Sequence, residues 1–143
     1  MKPAVVRFYF DADLLGLAHV ICRIRPDCTF PGDPGARIQG RERGPCVVTD
    51  PGSLDPEWIP LVSERGWVIV TRDRHIARRP LERASVRDNK ARLIAISGRE
   101  GTSKWNQLEI FMRQWRSIDA LTARPGPFIV AATRSRLAQV DLA

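Results

Sequence analysis

Two apolar runs of this chain lead directly into carboxylates. Residues 4–10 (AVVRFYF) run into Asp11-Ala12-Asp13, and residues 67–71 (WVIVT) run through Arg72 into Asp73. A third acidic pair, Asp55 and Glu57, opens the segment that precedes the second run. Carboxylates crowded together repel one another and raise each other's pKa, so such a cluster persists where it binds a divalent cation. Oxygen-only ligands favour Mg²⁺ or Mn²⁺ over zinc. One or two such ions can generate hydroxide and stabilise an in-line displacement at phosphate. Each acid also has a local alternative, because Asp11 or Asp13, Asp55 and Asp73 can each cap a helix.

Whether the acids meet depends on the elements that carry them. Residues 4–10 read as a buried strand, rich in β-branched and aromatic side chains. Leu14, Leu15, Leu17, Ala18, Ile21 and Cys22 recur at helical spacing and end before Pro26. Residues 27–52 are dense in Pro, Gly and Arg and read as a loop-rich insertion, with Cys46-Val47-Val48 its one short strand candidate. The segment Asp55-Pro56-Glu57-Trp58 starts a helix with Asp55 as N-cap and proline at the first helical position, and Gly66 closes it. Strands are expected over residues 67–71, 92–97 and 128–132, with helical pieces over 74–89 and a helix over about 103–118.

Strands that alternate with helices predict an α/β chain with a mostly parallel sheet and helices on both faces. Active groups in such sheets gather beyond the carboxyl ends of the strands. Parallel strands would therefore bring Asp11 and Asp73 to one rim. Asp55 reaches that rim if its helix starts there.

The chain carries 23 Lys+Arg against 16 Asp+Glu, a formal charge of +7, and only Lys2, Lys90 and Lys104 are lysines. Guanidinium forks match phosphate bidentately, so a polyanionic partner is one reading of the excess and a codon bias toward arginine is the other. Arg72, Arg74, Arg78, Arg79, Arg83 and Arg87 follow the acids closely and are the candidate phosphodiester contacts. Gly98, Arg99, Gly101, Thr102 and Ser103 form a polar loop between a strand end and a helix start, a geometry that can cradle phosphate. His19 reads as a packing residue, and His75 as a structural residue or a proton donor. Trp58, Trp67, Trp105 and Trp115 could stack on bases, but the apolar patterns around them favour core packing.

Cys22, Cys28 and Cys46 contain no CxxC and leave one cysteine over in any disulfide scheme, so free buried thiols are expected. With 43% hydrophobic and 27% charged residues the composition is that of a globular chain rather than a disordered one. No apolar run approaches the ~20 residues of a membrane span, and the opening MKPAVVRFYF lacks the pattern of a signal peptide. A soluble cytoplasmic protein is the expectation.

FYFDADLL at the start, DPEWIPLVSERGWVIVTRDRHI in the middle and GTSKWNQLEIFMRQW late in the chain together resemble a PIN-like domain, the ribonuclease fold of VapC-type toxins in toxin–antitoxin pairs. The resemblance implies a three-layer PIN-like fold over residues 1–143, with a central mostly parallel sheet flanked by helices. It places Asp11 as the first-strand ligand, Asp13 where such families often carry Asn or another polar residue, Asp55 as the acid opening the helix with Glu57 beside it, and Asp73 as the aspartate of the TxD motif. Many relatives carry a second aspartate two residues after that motif, where this chain has His75. The departure implies either three carboxylates on one ion or Asp88 completing the set.

The function implied is a Mg²⁺- or Mn²⁺-dependent endoribonuclease, with RNA as substrate, a cognate antitoxin as partner and a homodimer among the expected states. Two alternatives stay open. One is a catalytically inactive PIN-like module that binds RNA or a partner. The other is a phosphatase of the haloacid dehalogenase type with Asp11 as nucleophile and Asp13 as acid, although neither Lys90 nor Lys104 is followed by the closely spaced aspartates that fold needs.

Overall fold

The computed structural model describes residues 1–72 and 79–142, the side chains of Asp55 and Glu100 excepted. In chain order the strands are β1 (Lys2–Pro3), β2 (Phe8–Phe10), β3 (Cys28–Thr29), β4 (Ala36–Ile38), β5 (Arg41–Arg43), β6 (Val68–Thr71), β7 (Arg92–Ile96), β8 (Phe128–Ala132) and β9 (Leu137–Val140). The α-helices are α1 (Leu15–Ile21), α2 (Asp55–Glu64), α3 (Pro80–Asp88), α4 (Lys104–Arg113) and α5 (Trp115–Ala120). Short 3-10 turns precede α1 (Ala12–Leu14) and α4 (Arg99–Thr102).

Six strands form the central sheet in the order β3-β2-β6-β7-β8-β9, parallel throughout except for β9, which runs antiparallel to β8. The strands are short and almost wholly apolar, as a sheet covered on both faces requires. Strand alternation divides the core cleanly. Phe8, Phe10, Val68, Val70, Ile94 and Ile96 face α1, α4 and α5 through Leu14, Leu17, Ile21, Ile110, Phe111 and Ile118. Tyr9, Ile69, Leu93 and Ile129 face α2 and α3 through Trp58, Ile59, Val62 and Val86. Two helical layers thus enclose one sheet, the α/β architecture expected from the sequence.

The segment over residues 27–52 departs from its reading as a loop-rich insertion. It supplies β3 to the central sheet and, with β1, a second sheet in the order β1-β5-β4. Cys46–Val48 is not a strand; Cys46 and Val48 are instead buried as side chains of an irregular segment against Tyr9 and Trp58. The β4–β5 hairpin turns on Gln39 and Gly40, both in the left-handed region (φ 52° and 74°), which matches the twist of a two-residue hairpin loop.

A buried ion pair anchors the hairpin. Arg43 Nε donates to Asp33 Oδ2 at 2.7 Å with the two side chains 3% and 2% exposed. The Arg43 guanidinium also donates to the Cys22 and Arg25 carbonyls at 3.2–3.3 Å, satisfying groups that α1 leaves open at its C-terminal end. Asp33 in turn accepts from the Thr29 hydroxyl and the Gly35 N–H. Gly35 is required here, because a Cβ would lie 2.3 Å from the Arg43 carbonyl oxygen and its φ is +93°.

A second ionic cluster follows the same C-terminal end of α1. Arg7 and Arg25 both donate to Asp27, at 2.7 and 2.9 Å, and Arg25 stacks 4.1 Å above Trp115. Burial works against the Asp27 charge, but hydrogen bonds from Arg25 and Arg7 outweigh it and hold the carboxyl below its ordinary pKa. Cys22, Cys28 and Cys46 are free and buried; burial pushes the Cys22 thiol up to about 12 and raises Cys28 and Cys46 as well.

Removing Arg43 leaves a buried carboxylate without its counter-charge, so Arg43→Met is expected to lower unfolding free energy by about 3–5 kcal/mol in urea titration; a loss under about 1 kcal/mol would contradict the anchoring role. Because Asp27 has a lowered folded pKa, its stabilisation is present above the ordinary carboxylate range and disappears as pH falls through it. The stability gap between the parent chain and Asp27→Asn is therefore largest near neutrality and narrows below ~pH 4; a gap that widens on acidification would contradict this assignment.

Candidate functional site

Registers Phe10↔Val70, Thr71↔Ala95 and Ile96↔Ala132 align the carboxyl ends of β2, β6, β7 and β8 along one edge of the sheet. Asp11 follows β2 immediately, and its N–H extends the pairing by donating to the Val70 carbonyl at 2.8 Å. That bond fixes Asp11 beside the end of β6. Its Oδ1 accepts from the Ala12 N–H at 2.6 Å and caps the first turn, while Oδ2 accepts from the Thr71 hydroxyl at 2.9 Å. Asp11 is therefore the local cap its position allows, and it also accepts a hydrogen bond from the neighbouring strand.

Asp13 turns toward the neighbouring strand as well. Its carboxylate lies 3.2–3.4 Å from the Thr71 hydroxyl oxygen and accepts from the Arg72 N–H at 3.1 Å. Thr71 is fully buried and β-branched, so its hydroxyl is held at one place between two carboxylates. The structure thus brings Asp11 and Asp13 together around a threonine that sequence reasoning did not single out. The signal was present in WVIVT: a strand of otherwise apolar residues ends on a hydroxyl.

Asp55 lies at the first helical position of α2, not at the N-cap, which is Leu54 without a side-chain cap. From Asp55 to Glu64 the helix spans about 15 Å and ends at the Gly66 turn into β6, a strand of about 13 Å. The first turn of α2 is therefore level with the carboxyl edge of the sheet. Trp58, one turn on, packs 5.2 Å from Tyr9, two residues before Asp11. Glu57 is exposed on that first turn.

Asp73, Arg74, His75 and Arg78 lie outside the described residues. Asp88 ends α3, next to the start of β7, and so sits at the opposite edge of the sheet from Asp11. The Arg72 guanidinium donates to the Ile96 and Gly98 carbonyls at 2.8 and 3.1 Å, tying the ends of β6 and β7 together. Gly101 leaves room for it, since a Cβ there would stand 3.3 Å from Arg72 Cζ. Arg79 precedes α3, is largely exposed and approaches Glu82 at 3.6 Å. His19 packs edge-on against Phe30.

Trp58 is buried and Trp115 packs against Phe8 and Phe111, as the apolar patterning predicts. Trp105 is not a core residue: it is 78% exposed in the first turn of α4. The chemistry of the described donor set is uniform. Two carboxylates and one hydroxyl present only oxygen, which fits a hard divalent cation. Among the described residues no group of three or more His, Cys, Asp or Glu is assembled as a metal site.

Residues 37–98 match a protein family described as a PIN like domain, just under half of the 143 residues. The matched stretch runs from β4 through the end of β7 and contains Asp55, Thr71, Arg72 and Asp73, while Asp11 and Asp13 precede it. No curated protein and no solved structure matches the chain. The match supports a PIN-like domain over this central part, and no helix among the described residues is long and apolar enough to cross a membrane.

Replacing Thr71 by valine keeps the strand shape but removes the donor shared by Asp11 and Asp13. Thr71→Val is expected to cost about 1–3 kcal/mol in chemical denaturation, with Thr71→Ser close to the parent. A valine variant as stable as the parent would show that the hydroxyl does not organise the two carboxylates.

Proposed function

We propose that the chain is a metal-dependent nuclease acting on RNA. The observation that carries the reading is the convergence of Asp11 and Asp13 on the Thr71 hydroxyl at the carboxyl edge of a parallel sheet. The match of residues 37–98 to a PIN-like domain also supports it; that stretch includes Thr71, while Asp11 and Asp13 lie outside it.

In this reading Asp11 and Asp13 hold Mg²⁺ or Mn²⁺ with Asp55 and Asp73. When bound, such an ion would activate water for attack and offset charge at the scissile phosphate. Thr71 positions both described carboxylates by donating its proton to the pair. The Arg72 guanidinium fixes the edge of β7 against β6, and its N–H orients Asp13. The positive ends of α2 and α4 also open on this edge and favour a polyanion there. The net charge of +7 attracts RNA from a distance.

The resemblance to VapC-type toxins extends the proposal to the toxin of a toxin–antitoxin pair, whose antitoxin would cover this rim. A small DNA-binding protein encoded beside this chain and co-purifying with it would support that extension.

The test is cleavage of labelled single-stranded RNA by the purified chain. Cutting is expected with Mn²⁺ or Mg²⁺, is expected to vanish with EDTA, and is expected to fall at least about 100-fold in Asp11→Asn with the melting temperature nearly unchanged. Cleavage that survives EDTA, or that survives Asp11→Asn, would overturn the proposal.

A further inference from the structure

We propose that Trp105 and Lys104 form the substrate-holding edge of this site, Trp105 as a stacking platform for an unpaired base and Lys104 as the contact to its phosphate; the inference rests on the nuclease reading. Both residues open α4, which begins on the same sheet edge as Asp11 and Asp13. The connection is short and continuous. Asp13 accepts from the Arg72 N–H, the Arg72 guanidinium holds the Gly98 carbonyl, and the 3-10 turn over Arg99–Thr102 packs on that guanidinium at Gly101. Ser103 then caps α4 through the Asn106 N–H at 3.1 Å. Gln107, buried, secures the same turn by donating to the Gly101 carbonyl at 2.9 Å. The platform therefore stands on a rigid mount.

Lys104 is directed rather than splayed. Its stem crosses the first turn of α1 at Gly16, where a Cβ would lie 2.6 Å from Cε and 3.4 Å from Nζ. Gly16 makes a notch that the lysine fills, three residues after Asp13, so the ammonium is carried from α4 toward the helix that begins at the carboxylates. Arg99, exposed in the intervening turn, adds a second cation to the same edge.

Trp105 has no packing task that explains its type: it is 78% exposed, whereas the aromatic residues Phe111 and Trp115 of the same segment pack against Phe8. A large flat ring beside cations at the rim of a phosphodiester site is what single-stranded nucleic acid uses, since every base offers a π-face and the cations track the backbone. A duplex hides its bases in the stack, so this edge selects unpaired RNA.

The experiment measures RNA binding by fluorescence anisotropy with the Asp11→Asn chain, so that cutting does not interfere. Trp105→Ala is expected to weaken a short single-stranded RNA about 5- to 100-fold, Trp105→Phe to retain most of the affinity, and neither to change binding of an abasic oligomer of equal length. Lys104→Ala should reduce the slope of log affinity against log salt by about 0.7. Gly16→Ala displaces the lysine without altering it and favours the helix, so it should weaken RNA binding while the melting temperature holds or rises. If Trp105→Ala binds RNA and cuts as the parent does, this edge is wrong and the nuclease reading stands. If it loses RNA affinity in a chain that never cuts with metal, the edge stands and the nuclease reading falls. No RNA binding at all, or an effect of Trp105→Ala confined to self-association, overturns the inference.

Discussion

The pairing of β2 with β6 in parallel is the constraint on which the site depends. Phe10 opposite Val70 sets the last turn of each strand side by side, and the Asp11 N–H continues the ladder by bonding the Val70 carbonyl. One residue of slip would turn Thr71 away from Asp11 and expose the aromatic face of Phe8 and Phe10. The apolar core therefore enforces the register, and the register places a hydroxyl donor between two acids. The hydroxyl that ends β6 meets the carboxylates that follow β2 for reasons that originate in burying Phe8, Phe10, Val68 and Val70.

The chain then braces this arrangement from both directions. At the site edge, Arg72 clips β6 to the end of β7 and the turn over Arg99–Thr102 closes on it. At the far end of α1, Arg43 gathers the Cys22 and Arg25 carbonyls while paired with Asp33, and the β4–β5 hairpin that carries it docks as a unit. Arginine suits both tasks because its planar fork reaches several acceptors at once. Part of the arginine excess is accordingly structural, and the net charge of the chain overstates what is offered to a polyanion.

Much of the architecture was legible because local composition and burial agree. The runs VIVT, RLIAI and FIVAA became β6, β7 and β8 since strands covered on both faces must be apolar throughout. What was hidden depended on distant partners. The hairpin turns on Gln39-Gly40, and glutamine does not advertise a left-handed turn as asparagine or aspartate does. β9 is a short edge strand, Leu137–Val140, whose mixed sequence gives little periodicity. The helix expected over residues 103–118 breaks at Gln114, whose side chain bonds the Thr133 carbonyl in the turn between β8 and β9. Asp11 and Asp13 were readable as strand-end acids, but Thr71 as their common donor, Arg72 as a structural tie and Trp105 as a surface residue required the fold.

The proposed nuclease needs a hard cation held by Asp11 and Asp13, and electron paramagnetic resonance of Mn²⁺ titrated into the purified chain tests this most directly. Free Mn²⁺ gives a sharp spectrum that disappears on binding, so the expected result is loss of signal up to one or two ions per chain, abolished in Asp11→Asn and weakened in Asp13→Asn. An undiminished free-ion signal with the parent chain, or equal binding by both variants, would contradict a metal centre at this edge.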